Sequence, residues 1–170
     1  MQELTELLAG TSLEQFRGVY EREHATTRNV LAAFPADQAS FRPHERSGSA
    51  QQLAWTFVLE ETIMLKVLEN EAALGGGVPK APDTWPEVLA AFDDVHARLL
   101  AKLQSVEASS LQPVKFFIAP KTTGEYTPMS FLWRFLFDQI HHRGQMTVYL
   151  RMAGGKVPSI YGPSGDEPWF

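Results

Sequence analysis

The chain has 170 residues, no cysteine and a formal net charge of −5 at pH 7, with 44% hydrophobic and 21% charged residues. Length and composition predict one globular domain over residues 1–170 with a single core, and argue against a disordered or membrane-spanning chain. Without cysteine, disulfides, sulfur-ligated metals and a cysteine nucleophile are excluded, and the acidic balance argues against a nucleic-acid partner.

The N-terminus predicts no targeting segment. Its first ten residues, MQELTELLAG, contain two glutamates and lack the basic start and the apolar run of a signal peptide. No stretch of the sequence approaches the roughly 18 apolar residues that span a bilayer. We therefore expect a cytoplasmic protein without a membrane partner.

Four segments have the apolar spacing of amphipathic helices, and each follows a serine or threonine, residues that are preferred at helix N-caps. The predicted helices begin at Thr11-Ser12, after Ser47-Gly48-Ser49, near Thr84 and at Thr127-Pro128. They extend, in the same order, to Pro35, to the residues before Gly75, to Leu103 and to about Met152. Four long helices with short-to-medium connections predict an all-α four-helix bundle.

Two segments outside the helices contain enough apolar residues to predict their behaviour. Val114–Ile118 lies between two prolines and is expected to be an extended segment or a single edge strand. Residues 156–170 contain three prolines, which argue against a regular element. The apolar residues of this tail are Ile160, Tyr161, Trp169 and Phe170. A tail of this composition is expected to be irregular and to pack back on the bundle.

The fourth predicted helix carries polar residues on a face that begins apolar. At about 100° per residue, Asp138 and His142 lie about 40° apart, one turn above the other. Gln145 and Tyr149 fall within about 20° of Asp138. Buried polar groups cost free energy unless they have partners, so this band requires an explanation. An aspartate and a histidine at this spacing are two candidate metal ligands, and the same spacing suits an ordinary hydrogen bond between them.

The second predicted helix supplies a third candidate ligand. Glu60 lies inside the apolar stripe of that helix. Metal sites in helix bundles are assembled from side chains on facing helices, which makes Glu60 a candidate partner for Asp138 and His142. The alternative is that Glu60 tilts outward or forms an ion pair with Arg134 or Arg143.

A glycine and three histidines allow a functional and a structural interpretation. Gly144 lies in the middle of the fourth predicted helix, where glycine costs about 1 kcal/mol relative to alanine. It is explained by the close approach of another helix or of the tail, or it is a tolerated glycine.

His24, His44 and His96 are expected to be surface or hydrogen-bonded histidines rather than metal ligands.

Several runs of residues resemble one protein family. Near the C-terminus they are His141–Gln145, Val148–Arg151 and Gly154–Ser164, and before the second helix they are Arg42–His44 and Ser49–Trp55. These runs resemble the DinB family, the damage-inducible-like four-helix bundles. The resemblance implies the same bundle over the whole chain.

The resemblance also implies a divalent metal held by three histidines, one on the second helix and an HxxxH pair on the fourth. The last of the three corresponds to His142, whereas the residue four before it is Asp138. The position on the second helix is Thr56. Aspartate can hold a divalent ion, but a threonine hydroxyl is a weak ligand. We infer that Glu60, one turn beyond Thr56 on nearly the same face, takes its place.

By the same resemblance, the protein is expected to be a metal-dependent transferase that uses an external small thiol, or a hydrolase. The metal would be Zn, Ni, Mn or Fe, and would activate a nucleophile for attack on a small-molecule substrate. A second hypothesis is a non-catalytic binding or regulatory bundle that has lost the metal, in which Asp138 and His142 form a hydrogen-bonded pair with Gln145 or Tyr149. The broad apolar faces of the helices predict a homodimer.

Overall fold

The computed structural model describes residues 8–74, 77 and 79–170. In this part of the chain the long helices are α1 (Leu13–Ala32), α2 (Ala50–Leu68), α3 (Trp85–Ser105) and α4 (Pro128–Met152). They form the expected bundle, and none of the described helices is both long and apolar enough to cross a bilayer. Residues 1–7, which belong to the stretch examined for a signal peptide, lie outside the described residues, as do two of the glycines predicted to stop the second helix, Gly75 and Gly76.

The helices begin at the capping residues that the sequence predicts. The side chains of Ser12 and Ser49 accept hydrogen bonds from the backbone N–H groups of Gln15 and Gln52. Both glutamine side chains in turn accept from the backbone N–H of the serine. These reciprocal pairs satisfy N–H groups that have no partner inside the first turn of a helix, so they define where α1 and α2 start.

A two-stranded antiparallel hairpin precedes α4. It pairs β1 (Val114–Ala119) with β2 (Thr122–Tyr126). The sequence predicts at most one edge strand here, so the all-α assignment holds only roughly. β1 has the apolar residues of a strand, and its Phe116 packs edge-on against Phe131 and Phe135 of α4. β2 is largely exposed and has no apolar alternation, which is why the sequence pattern does not predict it.

The bundle interior contains two apolar clusters, one toward each end. The first joins the start of α1, the ends of α2 and α3, and the start of α4. The second joins the opposite ends of the same helices. Representative members of the first are Phe16, Met64, Leu68, Leu99, Leu132 and Leu136, and of the second Leu31, Phe57, Val88, Phe92, Met146 and Leu150. Helices α1 and α4 therefore run in one direction, and α2 and α3 run in the other.

A layer of polar side chains separates the two apolar clusters, and we call it the polar layer. Each helix contributes to it between its two apolar segments. Its members, which are buried or partly buried, are His24 and Thr27 of α1, Glu60 and Glu61 of α2, His96 of α3, and Gln139, His142 and Arg143 of α4. Polar and ionisable groups inside a bundle cost free energy unless they have partners. The polar layer is therefore the part of the interior that requires a functional explanation.

Arg143 is the most deeply buried cation of the polar layer, with 1% exposure. It forms an ion pair with the carboxylate of Glu23 at 2.7 Å and donates to the hydroxyl of Tyr161 in the tail. That hydroxyl in turn donates to Glu23 at 2.6 Å. Arg134 lies over the ring of Tyr126. The alternative in which Glu60 pairs with one of these arginines is therefore wrong.

The C-terminal tail packs on the bundle, as predicted, but only in part. Val157 and Ile160 contact the second apolar cluster. Tyr161, Trp169 and Phe170, in contrast, stay exposed at 67%, 61% and 106%. Proline and glycine keep the tail irregular, and an ion pair of 2.6 Å between Asp166 and Arg151 of α4 also attaches it to the bundle.

Gly144 lies on an open part of α4. A Cβ atom built at this position would meet no atom of the described residues within 4 Å. The interpretation that another helix or the tail approaches closely here is therefore wrong. Gly144 is a tolerated glycine at a position that has room for a side chain.

Candidate metal centre

Three side chains that the sequence singles out lie together at the edge of the polar layer. Glu60 of α2 and Asp138 and His142 of α4 each place one ligand-type atom within 4.8 Å of the others. Asp138 and His142 share a face because they are one turn apart. Glu60 meets them because α2 runs antiparallel to α4. The structure brings the three candidate ligands into one group, and their role as metal ligands stays a prediction.

The group extends from the bundle interior to its surface. Glu60 is 5% exposed, the side chain of His142 is 20% exposed, and Asp138 is exposed. The helix periodicity predicts Asp138 on an inward face, and this is wrong because α4 turns Gln139 into the interior instead. A small molecule can therefore reach the group from the side of Asp138.

Glu60 and His142 form a close pair. Nδ1 of His142 lies 3.1 Å from Oε1 of Glu60. Within the described part of the chain, however, neither this Nδ1 nor Oε2 of Glu60 has a well-aligned hydrogen-bond partner. Neighbouring ligands at about 2.1 Å from one ion are about 3 Å apart in an octahedral site and about 3.4 Å apart in a tetrahedral one. The distance within the pair is compatible with two ligands of one cation.

The charge state of the pair also favours a cation. Burial raises the pKa of Glu60 from 4.5 to about 7, an effect that His142 opposes and the charge of Asp138 reinforces. The neighbouring carboxylate of Glu60 raises the pKa of His142 above 6.5 in spite of burial. Burial disfavours the Glu60 carboxylate, and the charge of Asp138 adds to this effect; a divalent ion bound here would offset both.

The other polar residues of the predicted band on α4 have partners elsewhere. Nε2 of Gln145 lies 2.9 Å from Nε2 of His141. The hydroxyl of Tyr149 donates to the carbonyl oxygen of Gly48 at 3.2 Å. The hypothesis that these two residues form hydrogen bonds with the aspartate and histidine of the candidate site is therefore wrong.

A second group of ligand-type side chains surrounds the neighbouring residue on α2. His24 of α1, Glu61 of α2 and His96 of α3 each place one such atom within 4.8 Å of the others. His24 and His96 are predicted to be surface or hydrogen-bonded histidines, and Nδ1 of His24 is indeed 3.1 Å from Oε1 of Glu61. The group itself was missed. Its members come from three helices, and the only sequence signal is the pair of adjacent glutamates within an apolar segment.

Comparison with known proteins assigns the family. The sequence profile of the DinB family matches residues 9–168. This chain belongs to the DinB family. Its fold is similar to that of a DinB-like protein from Bacillus cereus ATCC 10987, with a TM-score of 0.72 and 22% identity over 87% of this chain and 97% of that one. The DinB-like protein YjoA from Bacillus subtilis has a TM-score of 0.68 and 17% identity over 92% and 99% of the two chains. At these identities the likeness concerns the fold alone.

One sequence relative matches a shorter stretch. The uncharacterized protein YrdA of Bacillus subtilis (strain 168) is 53% identical over 45 residues, which are 26% of this chain. The match spans about a quarter of that relative, 27% of its length. This local likeness carries no statement about family or activity.

This member of the DinB family departs from the three-histidine pattern that the resemblance implies. Thr56 occupies the position on the second helix where the resemblance implies a histidine, and its hydroxyl donates to the carbonyl oxygen of Gln52 at 3.2 Å. Glu60, one turn later, is the residue of α2 that reaches Asp138 and His142. An imidazole and two carboxylates suit Zn²⁺, Mn²⁺ or Fe²⁺, and three protein ligands leave positions open for other ligands. The residues present therefore fit a divalent metal.

Proposed function

We propose that this protein is a metal-dependent enzyme whose divalent ion is bound by Glu60, Asp138 and His142. The observation that supports it most strongly is the pair of polar atoms without hydrogen-bond partners, Oε2 of Glu60 and Nδ1 of His142. A buried polar atom without a partner costs about 1–3 kcal/mol. Two such atoms in one group of ligand-type side chains, open to solvent on one side, favour a bound cation with access for a substrate.

The proposed reaction is transfer to a small thiol, or hydrolysis. A divalent ion in this site would act as a Lewis acid and lower the pKa of a thiol or water at an open position. The chain has no cysteine, so a thiol nucleophile comes from a diffusible small molecule. Glu60 holds His142 from the buried side, and the exposed Asp138 is the member that an incoming substrate meets first.

Metal content in matched histidine variants tests this proposal. His142→Gln removes the imidazole of the site, whereas His141→Gln removes its exposed neighbour on the same helix, which contacts Gln145 instead. After chelation and incubation with Zn²⁺, Ni²⁺ or Mn²⁺, the wild type and His141→Gln are expected to retain metal. His142→Gln is expected to bind at least about tenfold more weakly, because one of three ligands is lost.

Turnover is tested with the same set of proteins. Transfer is measured with small thiols and a chromogenic electrophile. Hydrolysis is measured separately with a nitrophenyl ester. A metal-dependent rate that His142→Gln abolishes and His141→Gln preserves supports the proposal. Equal metal content in all three proteins, or none in the wild type, contradicts it.

A second candidate function is a non-catalytic bundle that has lost the metal. Thr56 supports it, because its hydroxyl is engaged with the helix backbone and offers a poor ligand where the resemblance implies histidine. In that case Glu60 and His142 stabilise the fold only. His142→Gln would then lower stability without changing the metal content, which the same experiment measures.

Other expectations about this protein stay predictions. A small-molecule substrate is proposed because Asp138 and His142 expose one side of the group to solvent. The homodimer is tested by sedimentation velocity, and the exclusion of nucleic acid by retention on heparin at physiological salt. A cytoplasmic location is tested by fractionation of cells that express the full chain.

A further inference from the structure

The second group of ligand-type side chains lies where three helices meet. His24 of α1 and Glu61 of α2 are 7% and 0% exposed, whereas His96 of α3 is only partly buried. All three place one ligand-type atom within 4.8 Å of the others. The partly exposed His96 connects an otherwise closed part of the interior with the surface.

Glu61 provides the observation that points to a ligand. Oε1 of this carboxylate lies 3.1 Å from Nδ1 of His24, whereas Oε2 has no well-aligned hydrogen-bond partner in residues 8–74, 77 and 79–170. The hydroxyl of Tyr20, which contacts His96, also faces this carboxylate. A buried carboxylate oxygen without a partner is unfavourable, and a cation is the ligand that satisfies it best.

We propose that His24, Glu61 and His96 bind one divalent transition-metal ion, at a site separate from the candidate metal centre between α2 and α4. Two imidazoles and one carboxylate are a donor set that suits Zn²⁺, Co²⁺, Ni²⁺ and Fe²⁺. The ion would join α1, α2 and α3 across the polar layer. This site shares no residue with the candidate metal centre, and the proposal does not rest on the proposed function.

Binding requires one ring to turn. The rings of His24 and His96 are stacked, with centroids 3.4 Å apart and planes 13° apart. Nitrogen lone pairs lie in the ring plane, so two nearly parallel rings cannot both direct one at the same ion. His96 is the ring that can move, because it is partly exposed whereas His24 is buried. In the metal-free protein a hydrogen bond of 2.8 Å between Nδ1 of His96 and the hydroxyl of Tyr20 holds this ring. Metal binding at this site therefore breaks the contact between Tyr20 and His96.

The charges around the site favour a cation. The neutral imidazole is the form of histidine that binds a metal, and the burial of His24 and the partial burial of His96 favour the neutral form. Asp93 faces both histidines, and Glu21 faces His96. Arg28 is the opposing cation, and it is paired with Asp93 through two hydrogen bonds of 2.6 and 3.0 Å. The surroundings are acidic on balance.

The number of bound ions tests the proposal. The full chain is stripped with chelator, titrated with Zn²⁺ alone and examined by native mass spectrometry and calorimetry. His96→Gln is compared with His44→Gln, which alters a histidine of an exposed loop, and with His142→Gln. We expect two ions for the wild type and His44→Gln. His96→Gln and His142→Gln should each keep one ion and bind the other at least about tenfold more weakly.

The outcomes separate this proposal from the proposed function. Loss of an ion in His142→Gln with no change in His96→Gln overturns the second site and leaves the candidate metal centre in place. Loss of an ion in His96→Gln with no change in His142→Gln supports the second site and overturns the candidate metal centre. A wild type that binds one ion, unaffected by His96→Gln, also overturns the second site.

Two further measurements keep the proposal testable if His96→Gln does not fold. Zinc anomalous diffraction from wild-type crystals should show a peak bounded by α1, α2 and α3, and the absence of that peak overturns the proposal. Tyr20→Phe removes the hydroxyl that holds His96, so the second ion should bind several-fold more tightly. An unchanged or weaker affinity would contradict the rotation of His96 and with it the proposed ligand set.

Discussion

Two adjacent glutamates of α2 determine how the polar layer is divided. Glu60 meets Asp138 and His142 of α4, while Glu61 meets His24 and His96 of α1 and α3. Adjacent residues of a helix point about 100° apart, so one helix can serve two separate groups. Each glutamate has one oxygen without a hydrogen-bond partner in the described part of the chain. The same feature, a buried carboxylate that is only half satisfied, thus occurs twice in one turn.

Glu60→Gln should stabilise the metal-free protein while weakening metal binding. The pKa of Glu60 is raised from 4.5 to about 7 in the fold. The stability that the protonated carboxyl contributes is therefore complete below pH 4.5 and is lost as the pH rises through 7. Glutamine does not ionise, so the variant loses no stability through this residue as the pH rises. In chelator at pH 8 the variant should be more stable by about 1–3 kcal/mol, with no difference near pH 4.5.

Urea unfolding at several pH values, with and without Zn²⁺, measures both effects. The affinity for Zn²⁺ should fall at least about tenfold in Glu60→Gln, because the amide is a much weaker ligand than the carboxylate. A variant that is less stable than the wild type at pH 8 would show that the carboxylate is well solvated or well paired. That result would remove the electrostatic argument for a cation at this residue.

At the scale of single residues, the sequence predicts one of the two groups and misses the other. Glu60 is predictable because a glutamate inside an apolar stripe must face the interior, and Asp138 and His142 are predictable from their spacing on one helix. The group around Glu61 depends on how α1 and α3 are rotated about α2. Periodicity within one helix carries no information about that rotation, so the sequence could not assign His24 and His96 to one group with Glu61.

Helix α4 offers a direct test of helix propensity at Gly144. A Cβ at this position meets no described atom within 4 Å, and glycine inside a helix is less favourable than alanine. Gly144→Ala should therefore raise the free energy of unfolding by about 0.5–1 kcal/mol. Thermal and urea unfolding measure the change. A neutral or destabilising result would mean that another surface covers this part of α4 in solution.

Gly155, just beyond the end of α4, should respond in the opposite way to the same substitution. A Cβ there would overlap a methyl group of Leu150 and lie 3.2 Å from the carbonyl oxygen of Ala33 and from Pro35. Gly155→Ala should lower the free energy of unfolding by about 1–3 kcal/mol, because two chain segments would have to move apart. Unfolding of the two alanine variants side by side provides the measurement. Equal effects in both would contradict the packing at the helix end.

At the scale of elements, helix starts are predictable from sequence and the path between helices is not. Serine and threonine caps act locally, and so they mark where α1, α2, α3 and α4 begin. The strand Thr122–Tyr126 has a polar, largely exposed sequence and exists because its neighbour Val114–Ala119 offers a free edge. The parallel course of α2 and α3 follows from which ends share an apolar cluster, a property of the assembled bundle.

The whole molecule consists of two apolar clusters, a polar layer between them and a tail that reaches the polar layer from outside. Arg143 links these parts, since it contacts Glu23 of α1 and Tyr161 of the tail. A buried guanidinium is unfavourable without partners, so the tail helps to satisfy a charge inside the bundle. The tail is therefore docked at Tyr161 and, through the ion pair of Asp166 with Arg151, further along, although its last residues, Trp169 and Phe170, are exposed.

Tyr161→Phe tests whether the tail and the polar layer stabilise each other. The phenylalanine keeps the ring beside Arg143 and removes only the hydroxyl, which bonds to both Arg143 and Glu23. Loss of these charge-assisted hydrogen bonds should lower the free energy of unfolding by about 1 kcal/mol, or a few degrees in melting temperature. Limited proteolysis should cleave the tail faster than in the wild type. Tyr149→Phe is the control, because its hydroxyl bonds to Gly48 and not to the tail. If both variants are cleaved at the same rate as the wild type, the tail is held by its apolar contacts and by the ion pair between Arg151 and Asp166, and Arg143 is satisfied without it.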